Sequence, residues 1–274
     1  MKSRTKFAVA GGTGRVGRHV VDVLRKRGHD VVSISRSSGV DVITGDGLAE
    51  ALARVECIID TATGPSPEEK AATAFFTTAA RNLQKFGEPA GVRRIVAVSI
   101  IGTDRFTGGY GAAKVAHERA TLSGPVPGRV LRAAQFHEFV PQLMEWGRQG
   151  DVVYAPKMRT QVVAARTVAE ALADLALDSG SAAGASAPYP EIAGPREENL
   201  VELAKLYATR RGLPVRIEAV SDPSDQNREL YETGGLLPGP HAVLAGPTFE
   251  EWLESESLAS ESDVPRRTSA AVTG

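Results

Sequence analysis

The chain has 274 residues, a formal net charge of -1, 42% hydrophobic residues and one cysteine. That apolar content is ample for a core, and the near-neutral balance supplies no basic face of the kind that nucleic acid or an anionic membrane demands. A lone cysteine excludes a disulfide framework and points to a reducing compartment; with no secretory leader and no apolar run of about 18 residues, a cytoplasmic protein is expected.

The strongest local signal spans residues 7–27. Phe7, Ala8, Val9 and Ala10 form a short apolar run, which predicts a buried parallel strand. Gly11, Gly12, Gly14 and Gly17 follow at spacings that satisfy both G-x-x-G-x-x-G and G-x-G-x-x-G, and Val16, Val20, Val23 and Leu24 then recur at helical spacing. Strand, glycine turn and helix in succession suit a pyrophosphate lying against a helix N-terminus. Gly11, Gly12, Thr13, Gly14, Arg15, Val16 and Gly17 are therefore the candidate cradle. The other reading is a glycine turn that serves strand-to-helix packing alone.

Residues 31–35 predict the second strand, and it ends at Arg36. A carboxylate at that place accepts from a free ribose 2′-hydroxyl, whereas a cation receives a 2′-phosphate. Arg36, followed by Ser37, thus argues for NADP(H) over NAD(H), with Arg15 as a second arginine able to reach the phosphate. Asp46 is a candidate adenine contact or a cap for the short helix at Leu48. Residues 55–60, which include Cys57, predict a strand that ends in Thr61, Ala62 and Thr63, small residues at the sheet edge where open α/β folds hold ligands. A helix runs from Ser66 and Pro67 to about Phe86. Residues 94–99 form the next strand, with Ser99 at its carboxyl end, and an alanine-rich helix carrying Tyr110 and Lys114 runs to about Leu122. Gly109 and Gly111 flank the tyrosine and weaken the start of that helix. Residues 129–133 form a further strand.

This alternation predicts an α/β fold, a Rossmann-type doubly wound parallel sheet with right-handed crossovers and a small C-terminal substrate-binding region. Beyond Gly150 the pattern loosens. Strands are expected at 151–155, 161–164 and 215–220, helices at 167–177 and 197–211, a loop at 179–187 and a last helical turn at 249–253. The organisation that follows is an NAD(P)-binding domain over 1–160, a substrate-covering region over 161–253 that partly returns to the sheet, and a disordered tail over 254–274.

Tyr110 and Lys114 stand four apart, which puts both on one helix face. An ammonium near a phenol favours the phenolate and lowers its pKa. Ser99 can hydrogen-bond the same substrate oxygen, which together with a nicotinamide makes a hydride-transfer site. His19, His29, His117 and His241 show no metal-ligand spacing, so no metal is expected.

GGTGRVG, the strand-ending Arg36, VSIIG at Ser99, YGAAK at 110–114, LRAAQFHEF at 131–139 and FEEWL near the end occur in that order. In these the chain resembles the short-chain dehydrogenase/reductases, and more narrowly their atypical, NmrA-like branch, over roughly residues 6–253. The resemblance implies Ser99, Tyr110 and Lys114 as the catalytic set, Lys114 also touching the cofactor, and backbone around Ala134 meeting the nicotinamide end. It implies NADP(H)-dependent reduction of a carbonyl, quinone or related small electrophile. A non-catalytic NADP(H)-binding sensor acting through a protein partner, and an NAD(P)-dependent isomerase or epimerase, are the other readings. Substrate identity, and the choice between monomer and homodimer, stay open.

Overall fold

The computed structural model describes residues 4–178 and 189–262, with side chains to Glu256. The first half consists of β1 (Lys6–Ala10), α1 (Gly17–Lys26), β2 (Asp30–Ile34), α2 (Leu48–Ala51), β3 (Cys57–Asp60), α3 (Glu69–Gly87), β4 (Arg94–Ile100), α4 (Gly109–Leu122), β5 (Gly128–Ala133) and α5 (Phe139–Trp146). Then follow β6 (Arg148–Gln149), β7 (Val152–Pro156), β8 (Arg159–Thr160), α6 (Ala165–Leu177), β9 (Glu191–Ala193), β10 (Glu198–Asn199), α7 (Leu200–Arg210), β11 (Arg216–Val220), α8 (Arg228–Glu232), β12 (Val243–Leu244) and α9 (Phe249–Ser262).

A seven-stranded parallel sheet organises the molecule, in the order β12-β9-β5-β4-β3-β1-β2. Phe7 to Ala10 are fully buried, as a central parallel strand covered on both faces requires. One face packs Phe7, Val9, Cys57, Ile59 and Val96 under α1 and α6. The other packs Ala8, Ala10, Ile58 and Ile95 under α2 and α3. Cys57 is buried in the first layer, and desolvation pushes its thiol up to about 12. The strand order reverses on the two sides of β1, so the crevice at a topological switch point opens beyond the carboxyl ends of β1 and β3. A second core joins α5, β7, α7 and α9 through Val140, Met144, Val153, Leu203, Phe249 and Trp252.

Several local expectations are corrected. Residues 161–164 form no strand; a single bridge, Phe136 to Val163, holds them beside the segment after β5. Helix α3 starts at Glu69 because the Glu68 carboxylate accepts from the Lys70 and Ala71 N–H groups at 3.1 and 2.9 Å. The tail expected from 254 is helical to Ser262, since α9 is anchored by Phe249, Trp252 and Leu253 and meets no Gly or Pro through that point. Residues 263–274 and the loop expected at 179–187 lie outside the described residues. No helix among the described residues is long and apolar enough to cross a membrane.

Candidate active site

The glycine turn closes on the end of β3. A Cβ at Gly11 would meet the Ala62 backbone at 2.8 Å, and one at Gly17 would meet the Gly11 carbonyl oxygen at 2.1 Å. The Gly11 and Gly12 N–H groups bond the Ile34 carbonyl, and Thr61 Oγ1 donates to the Ala10 carbonyl at 2.7 Å, so β1, β2 and β3 are tied together at this edge. Thr13, Arg15 and Val16 make no backbone N–H bond among the described residues. Packed glycines, and between them the unbonded N–H groups of Thr13, Arg15 and Val16 at the entry to α1, fit a dinucleotide pyrophosphate.

Arg36 and Ser37 lie in a single 3-10 turn beyond β2, and both are exposed. The turn is held by serines: the Ser35 N–H donates to Ser38 Oγ at 3.0 Å, and the Ser35 and Ser37 hydroxyls meet at 2.9 Å. Among the described residues Arg36 has no ion pair. Arg15, in contrast, is drawn to α5, where its Nη1 donates to Gln142 Oε1 at 2.9 Å. Asp46 does not cap α2, whose N-cap is Gly47; its carboxylate accepts from the Thr44 hydroxyl at 2.8 Å. Ala134 is buried, and its N–H is committed to the Ile192 carbonyl of β9 at 2.9 Å. An apolar recess lined by Ile43, Gly64, Ala74 and Phe75 lies beside the Thr63 edge. Asn82 builds its wall by donating to the Val42 and Ile43 carbonyls at 2.9 and 2.8 Å, a function that its position in a helix did not announce.

Ser99, Tyr110, Lys114 and Thr63 gather where β3 and β4 end. Side chains alternate along β4, so Ser99 shares the face of Ile95, the one covered by α3 and α4. Ser99 Oγ is buried and has no hydrogen-bond partner among the described residues. Half-buried Tyr110 packs edge-on against Phe76 at 5.7 Å, and its hydroxyl meets Thr63 Oγ1 at 3.3 Å. Lys114 is 5% exposed and its ammonium turns inward: it donates to the Val98 carbonyl at 2.8 Å and to His117 Nδ1 at 2.9 Å, over the Phe76 ring at 4.4 Å. The expectation that Lys114 lowers the tyrosine pKa is thereby corrected. Burial raises Tyr110, with only the Thr63 hydrogen bond opposing it. Desolvation brings Lys114 down to about 8, against the charges of Asp60 and Glu118.

Two members of this cluster were not picked out by sequence reasoning. His117 stacks on Phe76 at 4.8 Å and donates from Nε2 to Asp60 Oδ2 at 2.9 Å, while Asp60 Oδ1 accepts from the Ala62 N–H at 3.0 Å. Burial raises Asp60, but these hydrogen bonds and nearby positive charge outweigh it and hold the carboxyl below its ordinary value. Burial and the Lys114 charge push His117 below its own. The ring is therefore neutral, and its bond to Asp60 is a hydrogen bond rather than an ion pair. A histidine three residues after the lysine, and an aspartate ending a buried strand, were the available signals.

Elsewhere charged and polar groups serve packing. His137 is fully buried against Phe249 and Trp252 and donates from Nε2 to the Pro247 carbonyl at 3.1 Å. The Glu138 carboxylate accepts from the Ala165 N–H at 3.2 Å, at the start of α6. Arg166 ties α6 to α1 through Asp22.

Residues 11–123 match a family model described as NAD(P)H-binding. No curated protein matches the chain. Among solved structures, a short-chain dehydrogenase/reductase superfamily protein from Agrobacterium tumefaciens with bound NAD is 20% identical, with 94% of this chain and 97% of that one covered and a TM-score of 0.64. UDP-N-acetylglucosamine 4-epimerase from Bacillus cereus is 19% identical over 95% and 99% of the two chains, with a TM-score of 0.66. dTDP-4-dehydrorhamnose reductase from Bacillus anthracis, in complex with NADP, is 16% identical over 94% and 100%, with a TM-score of 0.67. At such identities the likeness is one of fold, and the stretch that matches the NAD(P)H-binding family is the one that carries the glycine turn, Arg36, Asp60, Ser99, Tyr110 and Lys114.

Proposed function

We propose that this chain is an NADP(H)-dependent oxidoreductase that reduces the carbonyl of a small substrate, with Tyr110 as the acid. The narrower NmrA-like resemblance belongs to the same proposal. The observation that carries it is Ser99 Oγ, a buried hydroxyl without a partner among the described residues, on the sheet face covered by α4, the helix of Tyr110 and Lys114. Such a group costs free energy unless something hydrogen-bonds it, and a substrate carbonyl oxygen is a fitting acceptor. A bound nicotinamide would supply the hydride. The residues around it hold and protonate: the glycine turn takes the pyrophosphate, Arg36 and Ser37 the 2′-phosphate, and the recess at Ile43 and Phe75 the adenine. Ser99 donates to the carbonyl oxygen, and Tyr110 Oη gives that oxygen its proton. Thr63, exposed and 3.3 Å from Tyr110 Oη, returns a proton from solvent. A phenol raised by burial is protonated at neutral pH, which favours the reducing direction.

The inward turn of Lys114 favours a second reading, a nucleotide-binding sensor without turnover. NADPH consumption against nucleotide-sugar ketones, small aldehydes and quinones separates the two, with Tyr110→Phe and Ser99→Ala as controls. Loss of about 100-fold or more in Tyr110→Phe is expected. Unchanged turnover in that variant removes Tyr110 as the acid, tight NADPH binding without turnover of any of these classes leaves the sensor, and conversion of a nucleotide sugar without net NADPH loss marks an epimerase.

A further inference from the structure

Behind Tyr110 lies a chain of contacts that the reduction leaves unused. Asp60 and His117 side chains are each 1% exposed, and among the described residues the carboxylate meets no lysine or arginine directly. His117 stands between, donating to Asp60 from Nε2 and accepting from Lys114 at Nδ1, both at 2.9 Å. The first bond fixes the tautomer, and with it the lone pair that faces the ammonium. Two of the three Lys114 N–H groups are then used, on Val98 and His117, and one is left for a further acceptor.

The surroundings identify which anion answers the lysine. From its own helix, Lys114 is faced by His117 and Glu118; from β3 by Asp60; from α3 by the Phe76 ring; from β4 by the Val98 carbonyl. Glu118 is already bound in bidentate fashion by Arg132, at 3.0 and 2.9 Å. Among the described residues Asp60 has no such partner: its other oxygen meets the Ala62 N–H. A buried carboxylate without a compensating charge is costly, and the Lys114 ammonium supplies that charge through the imidazole. The chain is no proton wire to solvent, because it ends on Asp60, which is buried.

We infer that Asp60 and His117 are positioning residues for Lys114, the carboxylate and neutral imidazole holding the ammonium at the end of β4 with one N–H left for a ligand. Its consequence for turnover rests on the reduction proposed above; the contact chain itself does not.

The test therefore reads Lys114 directly. Isotope-labelled lysine in the full chain, with the Lys114 ε-carbon signal assigned by its loss in Lys114→Met, is titrated by NMR in the wild type, Asp60→Asn, His117→Leu and His117→Gln. The Lys114 midpoint should fall by about one pH unit or more in Asp60→Asn and His117→Leu, because burial is then opposed less. It should recover in His117→Gln, whose amide accepts from Lys114 and donates to Asp60 as the imidazole does. An unmoved midpoint in Asp60→Asn overturns the inference, as does a folded His117→Gln that behaves like His117→Leu. If His117→Leu does not fold, Asp60→Asn decides alone. Where turnover is found, the alkaline limb of its pH profile should follow the same order. The NMR order without any turnover upholds the positioning and counts against the reductase.

Discussion

Replacing Arg36 by glutamate isolates the proposed 2′-phosphate contact from the rest of the fold. The turn that carries Arg36 is held by the serine hydroxyls and backbone around it, and the guanidinium makes no ion pair among the described residues, so the substitution should leave stability unchanged. A charge-assisted bond to phosphate is worth about 1.5–3 kcal/mol, and the exposure of Arg36 places it near the lower end. A carboxylate in its place adds repulsion of about 1 kcal/mol at contact distance in water. Together these weaken NADPH binding by about 50-fold, since each 1.4 kcal/mol is tenfold. NADH, with a free 2′-hydroxyl, should lose nothing and can donate to the new carboxylate. Fluorescence titration of both nucleotides at low and high salt measures this, and salt should weaken only the wild-type NADPH complex. If Arg36→Glu leaves the ratio of the two affinities as it was, Arg36 does not read the phosphate.

Gly17→Ala should disrupt the cradle itself, because its methyl would lie 2.1 Å from the Gly11 carbonyl oxygen and 2.7 Å from Thr61 Oγ1. Overpacking of that kind costs about 1–3 kcal/mol, so both nucleotides should bind at least about fivefold more weakly and thermal unfolding should come earlier; wild-type affinity would refute the close approach. His137 predicts a pH dependence of stability. Burial brings it down to about 4, so the fold prefers the neutral ring and the unfolded chain takes the proton first. Its stabilisation is complete above the unfolded value of about 6.5 and is lost as pH falls toward 4, on the order of 3 kcal/mol in all. Urea unfolding at several pH values should show a shallower slope in His137→Asn, and equal slopes would refute the assignment.

The first half of the fold was legible because its strands are buried on both faces. Phe7 to Ala10, Val55 to Ile59 and the run at Arg94 are short apolar blocks that no exposed element needs, and glycine spacing fixed the turn between the first strand and helix. Strands β9 and β12, of three and two residues, have no periodicity to read; they join the sheet because the backbones of β5 and then β9 offer an open edge. Val162 and Val163 looked like strand for the same apolar reason that makes them core, yet they pass β5's extension with one bridge. At the site, the four-residue spacing put Tyr110 and Lys114 on one helix face but said nothing of where the ammonium turns. That is decided by Asp60, distant in sequence, whose charge is visible only once β3 and α4 are packed together.

The glycines around Tyr110 show why a local weakness and a functional position coincide. Each glycine in a helix costs about 1 kcal/mol relative to alanine, so GYG is a poor way to begin one. A Cβ at Gly111, however, would lie 2.1 Å from the Phe106 ring, and Gly109 has φ of +68° with its N–H donating to Glu69 Oε2 at 2.7 Å. Helix α4 can therefore start flush against Phe106 and the first turn of α3 only if both neighbours of the tyrosine lack side chains. That start seats Tyr110 over Phe76, with its hydroxyl at Thr63 on the solvent side and Lys114 one turn deeper. The helix gives up intrinsic propensity to place the phenol at the sheet edge, a conflict between local and global preference of the sort that accompanies a working site.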